Sequence, residues 1–199
     1  GLTTTICLNL SKISFSFQFD WIYDFNQHAF NEFTKYLRFN STYIRLADSF
    51  LSKIDGTTHV IHIRNEEDAL DWWSKQNGMD KDTFKTTLEL KYISLIEKYI
   101  PKQDHIILLT YNTDSSIIKY LNSNNYKYSF TNKSLEGREA NALVDLIIGS
   151  KAKGTFIGNF NPHRLRGSSF SYTLLQMMDK NTKKVLVDLD SIVDDVIVM

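Results

Sequence analysis

A doubly wound, mainly parallel α/β sheet of Rossmann-like type, with helices on both faces, is the fold class this sequence predicts. Three observations carry it. Short apolar or β-branched runs alternate with amphipathic helical stripes, the connections between them are short, and no repeat or low-complexity tract interrupts the order. At 199 residues and 42% hydrophobic, the chain can bury a sizeable core, and no linker justifies dividing 1–199 into more than one domain.

The elements follow in order. Ile13, Phe15, Phe17 and Phe19 alternate with Ser14, Ser16 and Gln18, which puts a one-face-buried strand in the N-terminal segment 1–24. From Phe25 the period lengthens, and Ala29, Phe30, Phe33, Tyr36 and Leu37 mark a helical face. Asn40, Ser41 and Thr42 supply an N-cap for a stripe of Tyr43, Leu46, Ala47, Phe50, Leu51 and Ile54, stopped by Asp55-Gly56. Thr58 to Ile63 is a short β-branched strand ending near Arg64. Asp80 to Tyr99 carries Phe84, Leu88, Tyr92, Leu95, Ile96 and Tyr99 on one helical stripe, with Pro101 just beyond. His105 to Thr110 is almost wholly apolar, as a strand buried on both faces must be. Asp114 can cap a short helix through Leu121. Lys127–Phe130 then reads as strand, 138–148 as helix, 155–158 as strand, 169–178 as helix and 185–188 as a last strand within a 179–199 segment that ends in an acidic tail.

Composition excludes several functions. Lys+Arg 23 against Asp+Glu 23 and a pI near 7.1 leave no surplus cation to grip a nucleic-acid backbone. No apolar run of bilayer-spanning length occurs, and Gly1–Leu10 lacks the basic start and apolar stretch of a signal peptide, so the chain reads as soluble. Beginning with Gly leaves open that it is an excised piece of something longer. The single Cys7 cannot form an intrachain disulfide, and the compartment stays undetermined. One Cys and five scattered His lack zinc spacing, and neither a Gly-rich phosphate loop nor a Gly-x-Ser-x-Gly elbow is present, so no metal site is expected. Sequons at Asn9, Asn40 and Asn132 are expected by chance in a chain this rich in Asn, Ser and Thr.

Ligands of such sheets bind at the carboxyl ends of strands, which directs attention to Arg64, Tyr111-Asn112 and 159–169. His62 and Arg64 alternate at a strand end, on one side, while Ile63 enters the core. The Arg64 fork can neutralise a leaving diphosphate, or it can pair with Glu66 or Glu67 at the surface. His62 is a site residue or a hydrogen-bonded core histidine. Gly158-Asn159 followed by Gly167 to Ser171 feeds a helix start, where hydroxyls and free N–H groups make an anion site, or where Ser168 or Ser169 is only an N-cap and Phe170 a core residue. Asp145 interrupts an apolar helix behind Arg138-Glu139, and its two oxygens suit either a guanine edge or an ion pair with a neighbouring cation. Asp188, Asp190, Asp194 and Asp195 read as a solvated tail. Trp72-Trp73 reads as a sugar-stacking surface or a helix anchor.

Taken together, His59-Val-Ile-His-Ile-Arg64, the Arg138 to Ile148 stretch, Thr155-Phe-Ile-Gly-Asn159 and Ser168-Ser-Phe-Ser171 resemble, in order and spacing, the fucosyltransferase superfamily and its protein O-fucosyltransferase-like branch. With the aromatic stretch before the His-x-Arg strand, the similarity runs over 25–178. The resemblance implies the donor-binding, Rossmann-like half of a GT-B fold, with GDP-fucose as the donor, a protein or glycan hydroxyl as acceptor, and inverting transfer without metal or other cofactor. It implies that Arg64 is catalytic, meeting the departing diphosphate. His62 would support the nucleotide, Asp145 would read the guanine, Ser168, Ser169 and Phe170 would hold the phosphates and the sugar, and Asn159 would be a further substrate-binding residue. The family's cleft lies between two such domains, so a second domain or subunit is expected to complete the site. Two rivals stand beside this reading: a non-catalytic nucleotide-sugar-binding or lectin-like module, and an α/β interaction domain in which Arg64 and Asp145 are structural.

Overall fold

A computed structural model describes residues 38–131, 133, 135–194 and 196–199. The strand expected over 13–19, the helical stripe from Phe25 to Leu37, and Asn9 and Asn132 lie outside the described residues.

Asn40 caps α1 (Ser41–Leu51), its side chain accepting from Thr42 N at 2.9 Å. The chain turns at Gly56, whose φ of +84° suits only glycine without strain. It then enters β1 (Thr58–His62), α2 (Glu67–Gln76) and α3 (Lys81–Tyr99). β2 (His105–Leu109), α4 (Ser116–Ser123), β3 (Lys127–Phe130) and α5 (Arg138–Lys151) follow. After β4 (Phe156–Gly158) a small hairpin, β5 (Phe160–Asn161) and β6 (Arg166–Gly167), leads into α6 (Ser169–Met177), β7 (Lys184–Leu186) and β8 (Ile197–Val198).

The main sheet has six strands in the order β3-β2-β1-β4-β7-β8, parallel except for β8. Successive residues on each strand feed opposite cores, which is why the strands read as continuous apolar runs. Ile61, Ile63, Ile106, Leu108, Ile157 and Val185 pack with Leu70 of α2, Phe84, Leu88 and Tyr92 of α3 and Ile117 of α4. Val60, Ile107, Leu109, Phe156 and Leu186 pack instead with Ala47 of α1, Val144 and Ile148 of α5 and Leu174 of α6. The Rossmann-like α/β architecture is therefore the one the sequence predicts.

Winding runs outward from β1 through β2 to β3, then restarts on its other side with β4 and β7. The reversal leaves a crevice at the carboxyl ends of β1 and β4, where no crossover covers the strand tops. His59 fastens the opposite ends of these strands. Its Nδ1 accepts from Thr155 N at 2.9 Å and its Nε2 meets Asp104 Oδ2 at 3.0 Å. Gly154 permits this approach, since a Cβ there would lie 2.7 Å from both His59 Nδ1 and the Thr58 carbonyl.

Three details differ from expectation. The cap of α4 is not Asp114, which is exposed and pairs loosely with Lys119 at 3.6 Å. Instead Glu89, buried on α3, accepts from Ser116 N at 3.1 Å and from its hydroxyl. A carboxylate at a helix N-terminus meets free N–H groups whichever element supplies it. The acidic tail is also not uniformly solvated. Asp188 is buried and accepts from Asn161 Nδ2 at 2.5 Å, and Asp190 pairs with Arg166 Nε at 2.7 Å. Their partners lie on the β5–β6 hairpin, an element the sequence pattern did not delimit. Asp194 is exposed, as expected.

Glu89→Ala is expected to cost about 0.5–2 kcal/mol, because it removes the carboxylate that accepts from the first-turn N–H and hydroxyl of Ser116. Asp114→Ala should stay within about 0.5 kcal/mol of wild type. Urea unfolding of the two variants side by side checks the assignment, and equal effects would refute it.

Candidate functional site

Beyond His62 and Gly158 the backbone leaves the sheet, and side chains from helices and strand ends surround a cavity of about 410 Å³. His62 and Arg64 come from the end of β1, and Thr110 and Tyr111 from the end of β2. Arg138, Glu139 and Asp145 come from α5, Ser168 to Phe170 from the start of α6, and Glu66 and Trp73 from the start and body of α2. His62, Arg64, Asp145, Ser168, Ser169 and Phe170 are thus brought to one place. Asn159 is not on the wall. It is fully enclosed beneath it, because its side chain is drawn into the sheet seam by Tyr92.

That seam is a chain of buried hydrogen bonds. Tyr92 Oη donates to the His62 carbonyl at 2.8 Å and accepts from Asn159 Nδ2. Asn159 N–H donates to Ser171 Oγ at 3.0 Å, and Ser171 Oγ lies 2.8 Å from His62 Nδ1. Ser171 Oγ accepts from Asn159, and Nδ1 is the acceptor beside its hydroxyl proton, an arrangement that assigns the imidazole proton to Nε2. Burial, then the charges of Arg64 and Lys133, push His62 down from 6.5 to about 3. It therefore acts as a neutral ring and hydrogen-bond donor. Phe170 packs on it with centroids 4.6 Å apart.

The start of α6 is positioned by the same seam. Ser168 N donates to the Asn159 carbonyl at 2.8 Å, and Ser168 Oγ caps Ser171 N at 3.5 Å. Gly167, at φ +129°, lets the chain pass: a Cβ there would sit 2.7 Å from the Asn159 carbonyl oxygen. Ser168 is an N-cap and also lines the cavity. First-turn N–H groups of α6 have no intrahelical acceptor and face an anion favourably.

Charges on the wall are matched. Arg64 Nη1 lies 3.1 Å from Glu66 Oε1 and Nη2 lies 2.8 Å from Asp68 Oδ2. Asp145 is buried and paired with Lys133, and its Oδ1 is enclosed without a well-formed hydrogen bond. Burial raises the Asp145 carboxyl, while Lys133 and, more weakly, Thr131 pull it down. Tyr111 is legible in the sequence only as a strand end, yet it stands at the mouth with Lys133 Nζ 4.8 Å and the Arg138 guanidinium 5.5 Å from its ring centre. Trp73 lines the cavity and packs on the core, whereas Trp72 is exposed. No group of three or more metal-ligating side chains occurs among the described residues, and no described helix is long and apolar enough to cross a membrane.

A parallel sheet with a charged cavity at its switch point defines a Rossmann-like α/β fold. Its fold is that of solved POFUT1 (GDP-fucose protein O-fucosyltransferase) structures. The POFUT1 complex with GDP-fucose in one crystal form matches 79% of this chain and 48% of that chain, at 14% identity and a TM-score of 0.52. The complex with GDP matches 87% and 60%, at 14% identity and 0.53. A second crystal form with GDP-fucose matches 83% and 57%, at 13% identity and 0.51. The chain thus spans between 48% and 60% of these POFUT1 chains. No family model and no curated protein matches it.

The depressed His62 has a consequence for stability. Below its ordinary value of 6.5 the unfolded chain takes up a proton that the folded chain refuses until about 3, so stability falls as pH drops through that window. Wild type should lose about 1 kcal/mol per pH unit between pH 6 and pH 5 relative to His62→Gln. Parallel slopes in denaturant titrations of the two proteins would refute the assignment.

Proposed function

We propose that this chain is the donor-binding part of a fucosyltransferase. It binds GDP-fucose in the switch-point cavity and takes part in inverting transfer to a protein or glycan hydroxyl. The observation that carries the reading is the convergence of Arg64, His62, Asp145, Ser168, Ser169 and Phe170 on one cavity. The shared fold with POFUT1, which has been solved with GDP-fucose and with GDP, supports it.

In this reading Arg64 meets the negative charge that develops on the diphosphate as the glycosidic bond breaks. A planar fork already held in place costs no reorganisation at that moment. The start of α6 supplies hydroxyl and N–H donors to the phosphates, and neutral His62 donates from Nε2 without adding charge. Asp145 accepts from the paired N–H donors of a guanine edge once Lys133 yields its oxygen. No step calls on a metal ion, because Arg64 and the α6 terminus take up the leaving-group charge.

The acids that follow Arg64 are poorly placed to serve as the base for the acceptor hydroxyl. Glu67 and Asp71 are held by Lys81 at 2.6 and 3.3 Å, and Asp68 by Arg64. This observation favours a completing domain or subunit. It also keeps the non-catalytic nucleotide-sugar-binding module as the second reading.

Arg64→Ala is expected to lower transfer by about two to three orders of magnitude with folding preserved, and Arg64→Lys should rescue little. A rate within a few-fold of wild type ends the catalytic assignment. Asp145→Ala should weaken GDP far more than UDP or ADP in calorimetric titrations, with Lys133→Met as the control for loss of the ion pair. Equal weakening of all three nucleotides would assign Asp145 to structure. Thermal stability with a nucleotide panel separates the classes of function: a selective shift with GDP or GDP-fucose supports donor binding, and no shift supports an interaction domain. Product formation in the presence of a completing partner, against its absence, then separates transferase from binding module.

A further inference from the structure

We infer that Arg64 and Arg138 form a two-guanidinium diphosphate clamp whose place is kept, in the free protein, by the carboxylate of Glu66. The inference rests on the nucleotide-diphosphate reading of the cavity and assigns two residues that reading does not use. Glu66 Oε1 lies 3.1 Å from Arg64 Nη1 and 3.9 Å from Arg138 Nη2, so one oxygen serves guanidinium groups from two different elements. Both arginines and Glu66 line the cavity. Glu66 occupies the N-cap position of α2, yet its side chain makes no cap hydrogen bond. Its other oxygen, Oε2, is enclosed without a partner. A carboxylate that forgoes its own helix and leaves one oxygen unpaired is held there by the two cations.

Arg138 is braced for this role. Its guanidinium lies 5.5 Å from the Tyr111 ring centre, and its carbonyl accepts from Tyr111 Oη at 3.3 Å. Glu66 Oε1, at 3.1 and 3.9 Å, takes one nitrogen of each fork, and the second Arg64 nitrogen is held by the exposed Asp68 at 2.8 Å, so no single anion engages either fork bidentately. A diphosphate offers separate phosphoryl groups and more charge, so it serves both forks where Glu66 serves neither fully. A monophosphate gains less. Glu66 therefore acts as a displaceable internal anion that sets the cavity against weakly charged ligands and in favour of diphosphates.

The test is calorimetric titration of inorganic pyrophosphate, GDP and GMP into the 199-residue chain as wild type, Glu66→Gln, Arg138→Ala and the double variant. Glu66→Gln should tighten pyrophosphate and GDP about three- to tenfold, the scale of one partly exposed ion pair, and GMP less. Arg138→Ala should weaken both diphosphates, and in that background the Glu66→Gln gain should shrink. Circular dichroism melts verify folding, and Glu66→Asp, which draws the charge back by one methylene, provides a second route to the same tightening. Wild-type GDP binding that Glu66→Gln leaves unchanged or weakens overturns the clamp alone. Tighter pyrophosphate binding without preference among nucleosides upholds the clamp and removes the guanine reading. No binding of pyrophosphate or GDP by any variant overturns both.

Discussion

The site depends on the seam between β1 and β4. Parallel strands cannot be joined by tight turns, so where winding reverses the two neighbouring strands are far apart in sequence and their tops lie uncovered. Side chains must then hold those ends in register. Tyr92 reaches from α3 to the His62 carbonyl and takes a hydrogen bond from Asn159, while Ser171 joins Asn159 to the His62 ring from the other face. These groups sit where an unpaired polar atom is expensive, so the network tolerates little displacement. Its consequence is positional. Moving Asn159 would move the Ser168 backbone bonded to it, and with it the start of α6 that lines the cavity.

Charge is arranged around this frame by exchange. Arg64 is shared by Glu66 and Asp68, and Lys133 is held by Asp145. A chain of zero formal net charge cannot draw in an anion by a long-range field. It can still bind one by trading an internal ion pair for a better external one. Such trades give modest affinity, because the broken pair offsets much of the new one, but they discriminate sharply by charge and geometry.

Much of the fold was legible because its strands are buried on both faces. The stretch from His105 to Leu109 needs no periodicity to be read, and Ile61 and Ile63 alternate with Val60 and His62 on a strand whose end then marks the crevice. Arg64, His62, Asp145, Ser168, Ser169 and Phe170 were legible as positions on the cavity, since strand ends and a helix start are local signals. That the Asn159 side chain turns back into the seam was not legible, because being at a strand end does not say which way the side chain points. Long-range partnerships were invisible. Nothing near Asp114 reveals that Glu89 caps α4, and nothing near Asp188 reveals that Asn161 donates to it and Arg164 faces it. Tyr111 gains its meaning from Lys133 and Arg138, which only the fold brings to its ring.

The distribution of acids around the cavity bears on how much of a transfer reaction one such domain can perform. Displacement at an anomeric carbon needs the leaving group stabilised on one face and a hydroxyl deprotonated on the other. On the proposed function the chain is well furnished for leaving-group stabilisation, because Arg64, the α6 terminus and a neutral histidine all surround the place for a diphosphate. Deprotonating the hydroxyl calls for a general base on that face, usually a carboxylate or a relayed water. Glu66, Asp68, Glu67 and Asp71 are all engaged by Arg64, Arg138 or Lys81. Displacing Glu66 with a diphosphate changes this balance, because it releases one carboxylate at the moment the donor arrives. The same exchange that selects the ligand thus frees the first acid following Arg64, and its reach to an acceptor depends on what faces the cavity from the other side.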